Sequence, residues 1–211
     1  MGAKCPYLLK ENTMKQLQTD VVVIGAGTAG LSAYRNAKQF TPNVLMIESG
    51  PYGTTCARVG CMPSKLLIAA AEAAHAIEMA PAFGVHSSKP VIDGKAVMAR
   101  VKSERDRFAG FVVEAVDELP DEDKIKGYAK FLDANRVQID DHTIITAKRF
   151  VIATGSRPSY PGVFNNFGDK LIINDDVFEW DDLPESVAVF GPGVIGLEIG
   201  QALSRSGVNV K

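Results

Sequence analysis

Short apolar runs and stretches with helical spacing alternate along the chain. Residues 20–24 form an apolar, β-branched run, a glycine-rich turn follows, and residues 31–40 have the spacing of a helix. A second apolar strand is predicted at residues 43–48. Strand, glycine turn, helix and strand within about thirty residues predict a right-handed crossover unit of a parallel sheet.

Two longer helices and a β-rich region are predicted after this unit. The alanine-rich stretch 61–80 has helical spacing, and a second helix is predicted from about residue 93 to 119, ending before Pro120. Between residues 127 and 155, short β-rich segments separated by turn residues predict an antiparallel meander that leads into one final strand. The sequence thus predicts an α/β fold with a mixed sheet.

The strand, glycine turn and helix pattern begins a second time near the end of the chain. Residues 186–191 form an apolar strand, 191–196 a second glycine motif and 197–207 a helix, followed by the opening residues of another strand. A β-α unit cannot bury its sheet face alone, and a parallel strand needs neighbours on both sides. We therefore expect the chain to be a piece of a longer protein.

Charge and hydropathy give no reason to expect nucleic acid or an acidic membrane as a partner. The formal net charge is −2, which is near balance. No apolar run is expected to approach the length needed to span a bilayer, and residues 1–16 lack the features of a secretory signal. Met14 is a candidate start, which would leave the preceding residues as a vector-derived or flexible lead. We expect a cytoplasmic protein.

The first glycine motif has the context of a dinucleotide-binding turn. Gly25, Gly27 and Gly30 fit G-x-G-x-x-G between a strand and a helix, and Glu48 ends the second strand about twenty residues later. The first glycine allows the tight turn, the second lets a diphosphate approach the backbone, and the third lets helix and strand pack closely. The acidic residue is placed to accept hydrogen bonds from a ribose. We expect a dinucleotide to bind here.

The three cysteines are too few for a secreted disulfide framework. Cys5 lies in the polar lead, where no function is expected. Cys56 and Cys61 are separated by four residues and directly precede a predicted helix. They are either two buried thiols or a redox disulfide, in which the helix N-terminus would stabilise the Cys61 thiolate. No metal site is expected, because no second Cys or His pair has ligand spacing.

The segment 53–65, GTTCARVGCMPSK, resembles the redox-active signature of the pyridine nucleotide–disulfide oxidoreductases. The order of the surrounding motifs is similar too: glycine motif, Glu48, cysteine pair, the segment 153–158, and a second glycine motif ending in Glu198. The resemblance extends over residues 19–211. It implies a Rossmann-like FAD-binding domain with a parallel sheet and an antiparallel β-meander, followed by a truncated Rossmann-like NAD-binding unit.

The resemblance also implies domain bounds. A flexible lead is expected at residues 1–18, the FAD-binding domain at 19–160, a linker at 161–184, and the start of the NAD(P)-binding domain at 185–211. The intact protein is expected to be a homodimer whose acid–base histidine comes from the partner subunit. His75, His86 and His142 are not expected to replace it.

The family resemblance assigns roles to individual residues. Cys56 matches the interchange thiol that attacks a disulfide substrate, and Cys61 the inner thiol beside the flavin. Lys65 matches a lysine near the flavin N5 edge, which is expected to pair with Glu198. The implied FAD contacts are Gly25, Gly27, Gly30, Glu48, Thr55, Lys65, Tyr128, Ala129, Thr154 and Gly155. The implied contacts with NAD or NADP are Gly191, Gly193 and Gly196.

Within the family, the chain is most similar to the dihydrolipoyl dehydrogenases. The sequence Pro63-Ser64-Lys65 resembles their signature, and Val194 stands where glutathione reductases place a gating tyrosine. The implied reaction is oxidation of a lipoamide-like dithiol coupled to NAD reduction. Alternatives are a mercuric- or glutathione-reductase-like enzyme, or a non-catalytic FAD-binding module; the chain alone is expected to be inactive.

The signature also departs from the family pattern. Thr54 replaces a glycine of the usual GGTC, and Ala57 and Arg58 replace the common Leu-Asn. A side chain at Thr54 is expected to restrict the backbone. Arg58 is expected to add positive charge beside the cysteines, so these changes put lipoamide as the substrate in question.

Overall fold

A computed structural model describes residues 14–211. The chain forms two compact units, one containing the described residues up to Tyr52 together with Asp117–Gly155, and the other containing Gly53–Val116 and Ser156–Lys211. Cys5 and most of the expected lead lie outside the described residues.

The first unit is built around a six-stranded sheet. Its elements in chain order are β1 (Lys15–Ile24), α1 (Thr28–Ala37), β2 (Val44–Glu48), β3 (Lys124–Lys126), β4 (Ala129–Asp133), β5 (Arg136–Ile139) and β6 (Thr143–Ile152). The strand order is β3-β2-β1-β6-β5-β4. The first four strands of this order pair in parallel, and β4, β5 and β6 pair antiparallel. This arrangement confirms the predicted mixed α/β fold.

The central strands of this sheet are hydrophobic on both faces. Val22 and Val23 are adjacent in β1 and point to opposite faces, yet neither is exposed to solvent, and Met46 in β2 is 1% exposed. Continuous apolar runs are typical of parallel strands that are covered on both sides. In the antiparallel part only alternate residues are fully buried, as Val137 and Ile139 are in β5.

A buried polar contact ties α1 to the segment before β3. The Tyr34 hydroxyl donates a hydrogen bond to Asp123 Oδ2 at 2.5 Å, and Lys38 Nζ lies 2.5 Å from the same oxygen. Burial and the hydrogen bond to Asp123 raise the pKa of Tyr34. The carboxylate is therefore paired and hydrogen-bonded, as a buried charge must be.

The second unit is mainly helical. Its elements are α2 (Thr55–Val59), α3 (Cys61–Met79), α4 (Gly94–Asp117), β7 (Ser186–Val187), α5 (Val194–Arg205) and β8 (Asn209–Val210). Strands β7 and β8 are parallel, with Ser186 opposite Asn209. The core contains side chains from α3, α4, α5 and the 3₁₀ turn Asp176–Glu179, among them Leu67, Met98, Val101, Phe178 and Leu203.

Strand β1 begins earlier than the sequence predicts. The prediction started the strand at residue 20 and left residues 1–18 as a lead, whereas β1 begins at Lys15. Lys15 pairs with Thr143 and Thr19 with Ala147, so the polar first half of the strand is held by β6. The helices predicted at 61–80 and 93–119 are confirmed as α3 and α4 to within about two residues.

One helical stretch contradicts the expectation about membrane spans. Thr55–Phe83 is long and apolar enough, by length and composition, to cross a membrane, with a mean hydropathy of 1.3 in its most apolar window. The expectation that no apolar run approaches that length was therefore wrong, because the alanine-rich composition of α3 raises the average. A core helix of a soluble protein passes the same test, so one such stretch is weak support for a span.

Candidate nucleotide and dithiol sites

The first glycine turn lies at the carboxyl ends of β1, β2 and β6. Gly25 has φ +107°, and a Cβ there would lie 2.2 Å from the carbonyl oxygen of Ala153. A Cβ on Gly30 would lie 1.7 Å from the Gly25 carbonyl oxygen. Both positions therefore require glycine, since any side chain would push the turn away from α1 and β6.

Gly27 differs from the other two glycines, because its side-chain position faces open space. It is the N-cap of α1, with φ −78° and ψ −170°, and no heavy atom lies within 4 Å of a Cβ built there. This backbone conformation is open to any residue, so the absence of a side chain is not needed for folding. It leaves room for a ligand to approach the first N–H groups of α1.

The Glu48 carboxylate is held beside this turn. Its Oε2 accepts a hydrogen bond from the Ala26 N–H at 2.7 Å, and its Oε1 accepts one from the Gly50 N–H at 2.7 Å. A carboxylate can accept about four hydrogen bonds, so lone pairs remain for ribose hydroxyls. Together with the open space at Gly27, this geometry fits the adenosine diphosphate half of a dinucleotide such as FAD.

Four of the other residues implied in FAD binding lie in the first unit near this turn. The Gly127 N–H donates to the Glu48 carbonyl oxygen at 3.1 Å, which brings Tyr128 and Ala129 to the end of β2. Tyr128 is 68% exposed. Thr154 and Gly155 follow Ala153, the residue that contacts Gly25. Thr55 lies in the second unit, as the first residue of α2.

Lys126 was missed by the sequence analysis. It lies opposite Glu48 in the β2–β3 pair, and its Nζ donates to the Gly50 carbonyl oxygen. The same ammonium lies 3.7 Å from the centroid of the Tyr52 ring. Burial, and then the negative charges of Asp117 and Glu48, raise the pKa of Tyr52. Only the strand pairing reveals this contact, because these residues are far apart in sequence.

The two signature cysteines lie at the junction of α2 and α3. Cys56 is the second residue of α2 and Cys61 the first of α3, and both are free thiols. A Cβ on Gly60, between them, would lie 3.0 Å from the Thr55 carbonyl oxygen and 3.2 Å from Cys56 Cα. The chain therefore turns back tightly at Gly60, which brings Cys56 and Cys61 close together.

Cys61 affects the ionisation of the Cys56 thiol. Hydrogen bonding to Cys61, with a further contribution from burial, raises the pKa of Cys56. Cys61 is exposed and Cys56 half-buried. Two neighbouring thiols at one tight turn are suited to forming a reversible disulfide.

The Arg58 side chain passes close to Gly53. A Cβ on Gly53 would lie 2.9 Å from Arg58 Cδ, so the stem of the arginine crosses this glycine. Its charge lowers the pKa of Asp175, against a larger rise caused by burial of that carboxyl. Cys56, by contrast, owes its raised pKa to Cys61 and burial. The expected effect of Arg58 on the cysteines is therefore not seen at Cys56.

Thr54 does not strain the backbone, contrary to the expectation from its replacement of a glycine. Its φ is −72° and its ψ 154°, an extended conformation that any residue adopts. The hydroxyl instead accepts a hydrogen bond from the Ala57 N–H at 3.2 Å.

Lys65 and Glu198 form an ion pair within the second unit. Lys65 lies one helical turn after Cys61, and its Nζ donates to Glu198 Oε1. The hydrogen bond to Glu198, together with the negative charge of that carboxylate, raises the pKa of Lys65 against an opposing effect of desolvation. The lysine side chain is 68% exposed. A cation is thus held on α3 one helical turn after Cys61.

The second glycine motif repeats the geometry of the first. Gly191 has φ +116°, and a Cβ on Gly196 would lie 2.3 Å from the Gly191 carbonyl oxygen. Gly193 is the N-cap of α5 and has open space at its Cβ position. An open cleft of about 790 Å³, lined in part by Gly191, Gly196 and Glu198, lies along α5. The motif is therefore built like a second dinucleotide turn.

Two of the three histidines have side-chain partners of their own. His75 Nδ1 is 3.9 Å from Glu78, and His142 Nδ1 is 2.7 Å from the Thr143 hydroxyl. Within residues 14–211, no group of three or more His, Cys, Asp or Glu residues is placed to hold a metal ion.

Comparison with known proteins decides the family. Residues 19–211 match the family described as pyridine nucleotide-disulphide oxidoreductase. The chain belongs to this family. It is therefore a member of a flavoprotein disulfide oxidoreductase family, as the signature around the cysteines predicted.

Its relatives include two kinds of enzyme. The chain is 33% identical over 196 residues to a mercuric reductase of Lysinibacillus sphaericus, an alignment that covers 90% of this chain and 35% of that protein. It is 34% identical over 197 residues to a dihydrolipoyl dehydrogenase of Chlamydia pneumoniae, covering 90% of this chain and 41% of that protein. The chain thus spans well under half the length of these relatives, and the two enzymes match it equally well.

A solved structure shares the fold. The HOCl-induced flavoprotein disulfide reductase RclA from Escherichia coli superposes with a TM-score of 0.75 at 21% sequence identity, covering 90% of this chain and 41% of that one. At this identity the likeness supports the flavoprotein disulfide reductase fold and nothing finer.

Proposed function

We propose that this chain belongs to an FAD-dependent enzyme that oxidises a dihydrolipoamide-like dithiol and reduces NAD. The observation that carries the proposal is the tight turn at Gly60, which brings Cys56 and Cys61 together, with the Lys65–Glu198 ion pair one helical turn away. A pair of neighbouring thiols can store two electrons as a dithiol and release them by closing a disulfide.

The proposed exchange begins with the Cys56–Cys61 disulfide. One thiolate of the substrate attacks the Cys56 sulfur, the Cys56–Cys61 bond breaks, and Cys61 leaves as a thiolate. The second thiolate of the substrate then attacks the substrate sulfur of this mixed disulfide and releases Cys56 as a thiolate. The substrate leaves as a disulfide, and the protein has gained two electrons as the reduced pair. The protons of the substrate dithiol pass to the leaving thiolates or to water.

Lys65 supports this exchange through its charge. An ammonium near Cys61 favours the thiolate form of the leaving group, and Glu198 keeps the ammonium in place by its hydrogen bond. The lysine is exposed, so this effect is moderated by solvent.

The glycine motifs are proposed to hold the two cofactors. The turn at Gly25, Gly27 and Gly30, with the Glu48 carboxylate, would bind the diphosphate and ribose of FAD, and the residues from Tyr128 to Ala129 and from Thr154 to Gly155 would line it. When bound, FAD supplies a two-electron acceptor for the dithiol. The residues proposed to bind NAD or NADP are Gly191, Gly193 and Gly196.

The whole protein is proposed to be a cytoplasmic homodimer with an FAD-binding domain at residues 19–160 and a nicotinamide domain from residue 185. The 211-residue chain alone is proposed to be inactive in full turnover from dihydrolipoamide to NAD.

Mercuric reduction is the second candidate, because mercuric reductases are as similar to this chain as dihydrolipoyl dehydrogenases are. A vicinal dithiol is a ligand set that suits a soft metal ion. Titration of the oxidised chain with dihydrolipoamide, and of the reduced chain with Hg(II), separates the two. Formation of one equivalent of lipoamide per chain supports the first candidate. Tight Hg(II) binding by a chain whose Cys56–Cys61 disulfide is not reduced by dihydrolipoamide supports the second.

The absorption spectrum tests the flavin-dependent class. We expect the purified protein to be yellow and to develop a long-wavelength band on partial reduction. Cys61→Ser should abolish this band, and Cys56→Ser is the matched variant that should keep it. A colourless protein, or a band that survives in Cys61→Ser, would contradict the proposal.

A further inference from the structure

The short helix that carries Cys56 has a side-chain cap. Thr54 precedes α2, and its hydroxyl accepts a hydrogen bond from the Ala57 N–H at 3.2 Å. Thr54 and Ala57 are only 8% and 5% exposed, so the bond is sheltered from water. Without the hydroxyl, this N–H would be one of the unpaired donors of a first helical turn. Cys56 lies inside the turn that the bond closes.

The cap contributes a larger share of the stability of α2 than it would in a longer helix, because α2 has only five residues. An isolated helix of this length is not stable in water, so its winding depends on what holds its two ends. At its C-terminal end, the close approach of Gly60 to Thr55 and Cys56 leads directly into α3 and Cys61. At its N-terminal end, the Thr54 hydroxyl is the side-chain group that holds the first turn.

We propose that Thr54 is a positioning residue for the redox pair: its hydroxyl keeps α2 wound, so that Cys56 stays within bonding reach of Cys61. The inference rests on the proposed function. A disulfide holds the turn covalently, whereas a dithiol that has lost its cap can relax by unwinding. Loss of the hydroxyl therefore favours the dithiol, and the disulfide becomes easier to reduce.

Two substitutions test this role. Thr54→Val removes the hydroxyl and keeps the branched shape, while Thr54→Ser keeps a hydroxyl. The 211-residue chain, mixed with FAD, is equilibrated with reduced and oxidised glutathione, and the dithiol and disulfide forms of Cys56–Cys61 are counted by mass after alkylation. Each disulfide formed reduces one oxidised glutathione to two reduced molecules.

We expect Thr54→Val to shift the equilibrium about five-fold toward the dithiol, the effect of a typical lost cap. This corresponds to a reduction potential about 20 mV less negative. Thr54→Ser should stay within about two-fold of the parent chain. Thr146→Val is the matched control, because it makes the same chemical change at an exposed position in β6 of the first unit and should shift nothing.

The outcomes separate the two proposals. If the parent chain forms no Cys56–Cys61 disulfide at any glutathione ratio, the proposed function fails. If the disulfide forms normally but Thr54→Val has the parent potential, the positioning role is wrong and the proposed function stands. Should Thr54→Val not fold, Thr54→Ala removes the same hydroxyl without placing a larger apolar side chain at this buried site, and it must show the shift.

Discussion

Replacing Gly27 with alanine tests nucleotide binding in the first unit separately from folding. The Gly27 backbone, with φ −78°, accepts an L-residue, and the added Cβ meets no heavy atom within 4 Å. We therefore expect the free energy of unfolding of Gly27→Ala to stay within about 0.5 kcal/mol of the parent, since a compatible Gly→Ala change and a weaker N-cap act in opposite directions.

The same methyl group should weaken FAD binding strongly. It occupies the open space through which a diphosphate would approach the N-terminus of α1, so at least one charge-assisted hydrogen bond from a backbone N–H would be lost. Such a bond contributes about 1.5–3 kcal/mol, which corresponds to roughly a ten- to hundred-fold weaker affinity. FAD titration followed by quenching of flavin fluorescence measures this, and urea unfolding without FAD measures stability.

Gly30→Ala and Gly193→Ala are the controls. A Cβ on Gly30 would lie 1.7 Å from a backbone oxygen, so this variant should lose about 3 kcal/mol or more of stability as well as FAD binding. Gly193→Ala makes the compatible change in the second motif and should leave FAD affinity unchanged. If Gly27→Ala binds FAD as tightly as the parent, the assignment of the first glycine turn to the diphosphate is refuted.

Two further predictions concern the thiols and the buried tyrosine. Hydrogen bonding to Cys61 raises the pKa of Cys56, so Cys61→Ala should lower this pKa. Alkylation of Cys56 at different pH values, measured by mass spectrometry, should then have its midpoint at lower pH. A midpoint that stays or rises would contradict the interaction. Tyr34→Phe removes the 2.5 Å bond to the buried Asp123 and should lower the free energy of unfolding in urea by about 1–3 kcal/mol. Tyr160→Phe, at a 47% exposed site, should change it by no more than about 0.5 kcal/mol.

The sequence predicted the features that depend on local pattern. The turn at Gly25 and Gly30, the helices α3 and α4, and the meander from β4 to β6 all follow from residue types at fixed spacing. The ion pair between Lys65 and Glu198 was anticipated from the family resemblance rather than from spacing, because 132 residues separate the two positions.

Other features depend on contacts that spacing cannot reveal. The polar residues at the start of β1 show no strand pattern, and they form a strand through their pairing with β6. Lys126 reaches Gly50 because β3 pairs with β2, and a short three-residue strand gives little signal. The sequence shows only that Thr54 replaces a glycine. The position of the Ala57 N–H is needed to show that the Thr54 hydroxyl caps α2.

The long parallel pairing of β1 with β6 has a consequence for how the first unit folds. Its partners, such as Lys15 and Thr143, are more than a hundred positions apart, and the whole of α3 and α4 lies between them. Closing so large a loop costs entropy before the contacts are gained, and proteins of high contact order fold slowly. During synthesis β1 therefore stays partly unpaired until β6, the last strand of its sheet, has left the ribosome.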